Sequence, residues 1–297
     1  MLIEEYMEYL KNEKHMAPNS LEAYKRDILD FSRFAQAKGT KDADDCTNTD
    51  VVAYVLSLKE SAKSPSTINR KLASLRSYYR YLQDKGVITQ NPTGGIKAPK
   101  VEHKEIDFLS LEEVIRLLET PDDTVKGKRD RAILELMYAT GVRVNEIIAA
   151  NLEDVNLRIG FFACAGESGK ARIVPIGRPA KEALEEYINK ARDAFLKSAG
   201  EGKEEEALFL NHRGGRMTRQ GLWKILKEYG RKAEIADERV TPHILRNSFA
   251  VHMVQNGADL KSLQELLGNE GLTATEAYLA VTKSRIKDVY DKAHPRA

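Results

Sequence analysis

With only two cysteines in 297 residues, Cys46 and Cys164, the chain has no material for a disulfide framework. They lie far apart and in different expected domains, so two buried free thiols are expected rather than a disulfide or a metal site. No run approaches the roughly 20 consecutive apolar residues that a membrane helix needs, so no membrane partner is expected. The opening stretch, MLIEEYMEYLKNEK, carries acids where a signal peptide would carry basic residues, which points to a cytoplasmic location. There is no P-loop and no cluster of metal-ligand spacing, so neither a cofactor nor a metal is expected. Prolines number only nine, and 42% hydrophobic with 31% charged residues is the composition of a soluble, helix-rich protein. An excess of one charge is missing too: a net charge of +2 announces no nucleic-acid partner by itself.

What is present is an uneven placement of that charge. Residues 61–83 contain no acid, while Lys63, Arg70, Lys71, Arg76 and Arg80 all fall there. A solvated helix face explains such a run about as readily as a phosphate-binding one. Four amphipathic helices are expected in this first region. Leu2, Ile3, Tyr6, Tyr9 and Leu10 form the stripe of the first, and Pro18 opens the second, SLEAYKRDILDFSRFAQAKG. The third carries Val51, Val52, Val55, Leu56 and Leu58. In the fourth, SPSTINRKLASLRSYYRYLQDKG, Ile68, Leu72, Leu75, Tyr79 and Leu82 repeat at helical spacing. Arg70, Lys71, Ser74, Ser77 and Arg80 lie mostly off that stripe, free to meet phosphates.

A stretch without periodicity, containing Pro92, Gly94, Gly95 and Pro99, reads as an extended linker. The chain therefore divides into residues 1–90, a linker at 91–105 and a larger domain at 106–297. In the latter, S-L-E-E from Ser110 is a capping sequence, and KRDRAILELMYATG reads as a longer helix. Two short strands around a polar turn, GESGK, form a hairpin signal, and ALFLN reads as a third short strand. PAKEALEEYINKARDAFL and MTRQGLWKILKEYGRKA read as helices, the second one basic.

Chemistry-bearing residues gather late in the chain. His243 and Arg246 stand three apart, on one helical face, and Tyr278 follows a polar turn. A cation to neutralise a phosphate, an imidazole to move a proton and a phenol to attack suit chemistry on a phosphodiester. Taken singly, each has a plainer explanation: an ion pair with Glu146, a helix cap, a core aromatic.

Taken in order they resemble the tyrosine recombinase (phage integrase) family, and within it the Xer recombinases. ATGVRVNE carries Arg143 in T-G-x-R-x-x-E, HILR carries His243 and Arg246, and LLGN with TATEAY carries Asn269 and Tyr278. GESGKARIVPIG takes the place of the family's hairpin, G-K-G-x-K-x-R-x-V-P, and S-x-x-T-x-N-R-x-L-x-x-L-R-x-x-Y-x-Y-L fits the fourth helix. The resemblance spans essentially the whole chain. It implies a mainly α fold with a small β-sheet in the catalytic domain, arranged as a two-domain C-shaped DNA clamp. A SAM-like helical N-terminal domain would bind DNA through Arg70, Lys71, Arg76 and Arg80. The groove-facing helix would present Arg219, Gln220 and Lys224. The resemblance further implies catalysis by Arg143, Lys170, His243, Arg246, Asn269 and the nucleophile Tyr278. The partners implied are double-stranded DNA with inverted half-sites and a tetramer of this chain or a related recombinase.

The sequence departs from the family pattern in three places. Glu167 stands where the catalytic lysine is usual, leaving Lys170, the second lysine of the pattern, as proton donor to the leaving oxygen. Asn269 replaces a histidine or tryptophan; it can donate a hydrogen bond but carries no proton. Asn247 replaces a histidine that commonly follows the second arginine. The function expected is site-specific recombination through a 3′-phosphotyrosine and a Holliday junction. The alternative is a catalytically impaired, recombinase-like DNA-binding protein that occupies a site or pairs with an active relative.

Overall fold

The computed structural model describes residues 2–39, 43–100, 105–165, 171–198, 200, 205–269, 275 and 277–279. The chain separates into two compact units, Met1–Lys104 and Glu105–Ala297.

The first unit is built from α1 (Leu2–Asn12), α2 (Pro18–Ala37), α3 (Asn48–Glu60) and α4 (Pro65–Asp84). α4 starts where SPST requires: Ser64 caps it by accepting from the Thr67 N–H at 3.2 Å, and Pro65 occupies the first turn. Its apolar stripe packs with Tyr6, Ile28, Phe31 and Tyr54 in one core. Tyrosines serve there because the buried hydroxyls of Tyr6, Tyr78 and Tyr79 each find an oxygen. Tyr6 donates to Ser77 Oγ at 2.7 Å and Tyr79 to the Ala43 carbonyl at 2.6 Å.

Lys71 and Ser74 are not on the outer face of α4; both are buried, Lys71 to 7% exposure. The reason is Asp27 of α2, which is fully enclosed and draws partners inward. Arg70 and Ser74 bond to it, and Lys71 Nζ stands 3.2 Å from Asp27 and 2.8 Å from Asp30. The expectation that Lys71 meets phosphate is therefore corrected. Its ammonium is committed to two carboxylates. Arg76 and Arg80 remain exposed, and Arg70 is half-exposed although paired.

Among the described residues, the segment after α4 has no helix or strand, and much of it is fastened to this unit. Asn48 donates to the carbonyls of Pro92 and Gly94, Asn69 to Pro99 and Arg76 to Ile96. Ile88 and Ile96 pack on the helical core.

The second unit contains α5 (Leu111–Glu119), α6 (Val125–Thr140), α7 (Val144–Ala149), α8 (Arg178–Lys190), α9 (Arg192–Lys197), α10 (Arg219–Lys232), α11 (Pro242–Gln255) and α12 (Leu260–Leu267). Its antiparallel sheet has the order β1 (Val155–Asn156), β2 (Phe161–Ala165), β3 (Ala171–Pro175), with Phe162 opposite Val174 and Cys164 opposite Arg172. The capping box at Ser110 forms with Glu113 as the spacing requires.

Two expectations are revised. The helix over PAKEALEEYINKARDAFL is two helices that meet at Ala191 (φ −125°). Arg192 turns inward there, and its guanidinium bonds the carbonyls of Glu205 and Ala207. ALFLN is buried but forms no strand. Only Ala207 and Leu210 make single bridges, to Asn151 and Arg216, because no continuous edge runs beside them. Both cysteines are buried free thiols, as expected, and burial pushes Cys46 up to about 11 and Cys164 to about 12. No described helix is long and apolar enough to cross a membrane.

Candidate active site

Arg143 stands at the start of α7 and Arg246 in the second turn of α11, and both guanidiniums reach Asn269. α6 ends at Gly141, whose left-handed conformation (φ 59°) turns the chain sharply; an added Cβ would also strike the Phe249 ring. Two residues later Arg143 sits at the N-cap of α7. Glu146 accepts from its backbone N–H at 2.6 Å, closing a capping box and fixing the direction in which the arginine leaves.

Arg246 lies in the first turns of α11, whose start is set by the Thr241 cap and Pro242. It is buried to 8% exposure, and its guanidinium bonds only neutral oxygens among the described residues. These are the Gly141 carbonyl, the Leu267 carbonyl at 2.7 Å and Asn269 Oδ1 at 3.1 Å. Arg143 Nη2 reaches the Gly268 carbonyl at 3.1 Å and the same Asn269 oxygen at 3.3 Å. One amide oxygen is thus shared by two guanidiniums. Burial, with Arg143 adding to it, pushes Arg246 down to about 10, so its charge is held at a cost that an arriving anion would offset.

Asn269 therefore turns its oxygen toward the arginines, while Nδ2 donates to Thr275 Oγ1 at 3.3 Å. Its backbone is held by Gln264, which accepts from the Asn269 N–H and donates to its carbonyl.

Sequence reasoning missed the cation that organises this site, Arg172 on β3. It clasps Glu146 through both guanidinium nitrogens, at 2.5 and 2.9 Å, and donates from Nε to the Leu266 carbonyl at 2.8 Å. Burial opposes ionisation of Glu146, but these bonds and the one from the Arg143 backbone hold its carboxyl below the usual range. Gly268, left-handed at the end of α12 (φ 62°), lies against Arg172, where a side chain would collide. The arginine of the K-x-R-x-V-P pattern was the available clue.

Tyr278 is buried to 6% in an apolar cluster with Phe249, Leu263 and Leu267. Burial raises its hydroxyl above the usual phenol value, and the charges of Arg246 and Arg143 pull part of that back. His243 is exposed at the first turn of α11, three residues before Arg246. Arg219, Gln220 and Lys224 are exposed on α10, with Arg219 bonded to Asn145 beside Arg143. Lys170 and Glu167 lie outside the described residues. The structure thus brings together Arg143, Arg246, Asn269 and Tyr278. Among the described residues no group of side chains suits a metal ion.

Residues 107–285 match the Phage integrase family, and residues 3–86 match the Phage integrase, N-terminal SAM-like domain. The chain is 42% identical to the tyrosine recombinase XerD of Oceanobacillus iheyensis, over 99% of this chain and 98% of that one. A putative tyrosine recombinase of Caldanaerobacter subterraneus is 45% identical, over 100% and 99%. Among solved structures, XerH recombinase bound to palindromic difH superposes with a TM-score of 0.73 at 21% identity, covering 91% of this chain and 78% of that one. A lambda integrase dimer on a core site gives 0.70 at 18% identity, covering 93% of each chain. The likeness to these two shows the fold alone; the full-length relatives carry more. The chain belongs to the phage integrase family: it is a tyrosine recombinase, an enzyme that breaks and rejoins DNA at specific sites.

Proposed function

We propose that Tyr278 attacks a DNA phosphodiester held between Arg143 and Arg246. The observation that supports this best is the shared Asn269 oxygen. Two guanidiniums converge on one neutral oxygen beside the phenol, an arrangement that a non-bridging phosphate oxygen would also satisfy. Charge growing on those oxygens in the pentavalent transition state would be met by donors already in place. The Tyr278 oxygen forms the new bond to phosphorus and the bond to the 5′-oxygen breaks. The phenol's proton passes to His243, and Lys170 supplies one to the departing 5′-oxygen. Bond energy stays in the 3′-phosphotyrosine, so the 5′-hydroxyl of a second strand can reverse the step.

The partner is double-stranded DNA with inverted half-sites, bound by a tetramer of this chain or with a related recombinase, through a Holliday junction. XerH bound to a palindromic difH site and lambda integrase as a dimer on a core site support the part of this reading that concerns DNA with paired half-sites. Arg70, Arg76 and Arg80 on α4 would hold the backbone, and Arg219, Gln220 and Lys224 on α10 would face the groove. Exchange of this kind serves chromosome partition or DNA integration, in the cytoplasm. Whole-length similarity to tyrosine recombinases does not favour the impaired reading.

The test is a half-site nicked beside the cleavage position, so that the short leaving piece diffuses away. A covalent complex with the wild type, absent with Tyr278→Phe at unchanged affinity, is the expected result. Tight binding with no covalent complex would overturn the reading. For Lys170, a substrate with sulfur at the leaving position should restore cleavage by Lys170→Ala, because a thiolate departs without a proton. Failure to restore it would remove Lys170 from the role.

A further inference from the structure

Asn247 follows Arg246 on α11 and is buried to 6% exposure. Its Nδ2 donates to the Asp107 carbonyl at 3.0 Å, and its Oδ1 accepts from the Tyr278 hydroxyl at 3.1 Å. A carbonyl only accepts, so the amide orientation is fixed: nitrogen toward Asp107, oxygen toward the phenol. Neighbouring bonds keep the Asp107 segment in place. Ser248 Oγ accepts from the Leu109 N–H at 2.8 Å, and Arg239 donates to the Phe108 carbonyl at 2.8 Å.

An amide oxygen accepts a proton donor and offers nothing to an anion. Among the described residues, Arg246 from α11 and Arg143 from the start of α7 are the charged groups that act on the phenol. Tyr138 of α6 packs on the same apolar cluster, with its own hydroxyl joined to His252 Nδ1 at 2.9 Å. The cations favour ionisation, and the contact with Asn247 opposes it.

We propose that Asn247 is a positioning residue for the nucleophile: its tethered amide oxygen holds the Tyr278 hydroxyl as a protonated donor, which ionises only on leaving that oxygen. This rests on the reading of Tyr278 as nucleophile. Before DNA binds, the contact adds to the burial that already holds the phenol neutral against the pull of two arginines. It also fixes where the attacking atom waits.

The test is an alkaline titration of tyrosinate absorbance in the DNA-free full chain. Subtracting the Tyr278→Phe protein isolates this one phenol among the 12 tyrosines. Asn247→Leu, compared with its own Tyr278→Phe partner, should lower the midpoint by about half to one pH unit, the size one neutral hydrogen bond supports. Asn247→His, whose neutral ring offers one donor and one acceptor, should leave the midpoint near wild type. If Asn247→Leu does not fold, Asn247→Asp decides, since a carboxylate against the phenol should raise the midpoint. An unmoved midpoint in a folded Asn247→Leu protein, or an unmoved or lowered one in Asn247→Asp, overturns the proposal even where covalent complex forms. A moved midpoint with no covalent complex on the nicked half-site upholds the contact and instead overturns the reading of Tyr278 as nucleophile.

Discussion

Each unit contains a buried carboxylate beside several cations, and the two settle that charge differently. In the first unit Asp27 takes Arg70 and Lys71, with Asp30 sharing Lys71, so acids and bases balance in place. In the second, Arg172 clasps Glu146 from both nitrogens, and the Arg143 guanidinium approaches it only to 3.4 Å. Arg246 then bonds only carbonyl and amide oxygens among the described residues, which orient it without neutralising it. A buried cation held by carbonyls keeps its charge for a ligand; a buried one held by carboxylates is part of the architecture. That criterion separates Arg246 from Lys71 and Arg172, whereas Arg143 and Arg70, each paired with a carboxylate, are partly exposed.

The largest effect expected is at Arg246. Arg246→Lys cannot reach the Gly141, Leu267 and Asn269 oxygens together, so formation of the covalent complex should fall by about 10²–10³-fold, the loss typical of one transition-state donor. A smaller loss than that of Arg172→Ala would invert the comparison. Arg172→Ala leaves Glu146 buried with only the Arg143 backbone N–H and a long contact to the Arg143 guanidinium, and removing one member of such a pair costs about 3–5 kcal/mol. A fall of that size in the denaturant-derived stability is expected. Loss of activity should follow from misplacement of Arg143, and a stability equal to wild type would contradict it. That stability should also decline at acidic pH. Glu146 titrates below its unfolded value, so its contribution is complete above the usual carboxylate range and is lost as pH falls through the lowered folded value. With Glu146→Gln the acid limb should flatten.

The smallest effects separate Lys71 from its neighbours on α4. Arg76→Ala or Arg80→Ala should reduce the slope of log affinity against log salt by about 0.9 for each phosphate left without its cation, with stability unchanged. Lys71→Ala should do the opposite, lowering the melting temperature and leaving the slope alone. A reduced slope for Lys71→Ala would return it to the DNA-facing set.

The periodic parts of the chain were legible from sequence because local rules determine them. Ser64, Pro65 and the Ile68–Leu82 stripe define α4, and the Ser110 capping box forms as spaced. Where reading failed, a distant partner decided. Lys71 falls off the apolar stripe, and only the buried Asp27, on a different helix, turns it inward. Arg192 breaks a helix that propensity would continue, because the carbonyls of Glu205 and Ala207 capture it. In the site, the residues themselves were readable as a motif set, but their partners were not. Nothing local tells that Asn269 presents its oxygen, that Arg172 rather than Arg143 takes Glu146, or that Asn247 bridges Asp107 and Tyr278.

The central claim is that the phenol of Tyr278, poised beside Arg143 and Arg246, makes the bond to DNA. Its most direct test is to trap the covalent complex on a nicked half-site, digest it with protease and nuclease, and identify by mass spectrometry the peptide that carries the nucleotide. The nucleotide should lie on Tyr278. A nucleotide on another tyrosine, such as Tyr290, or a protein that binds the half-site and carries none, would contradict the account.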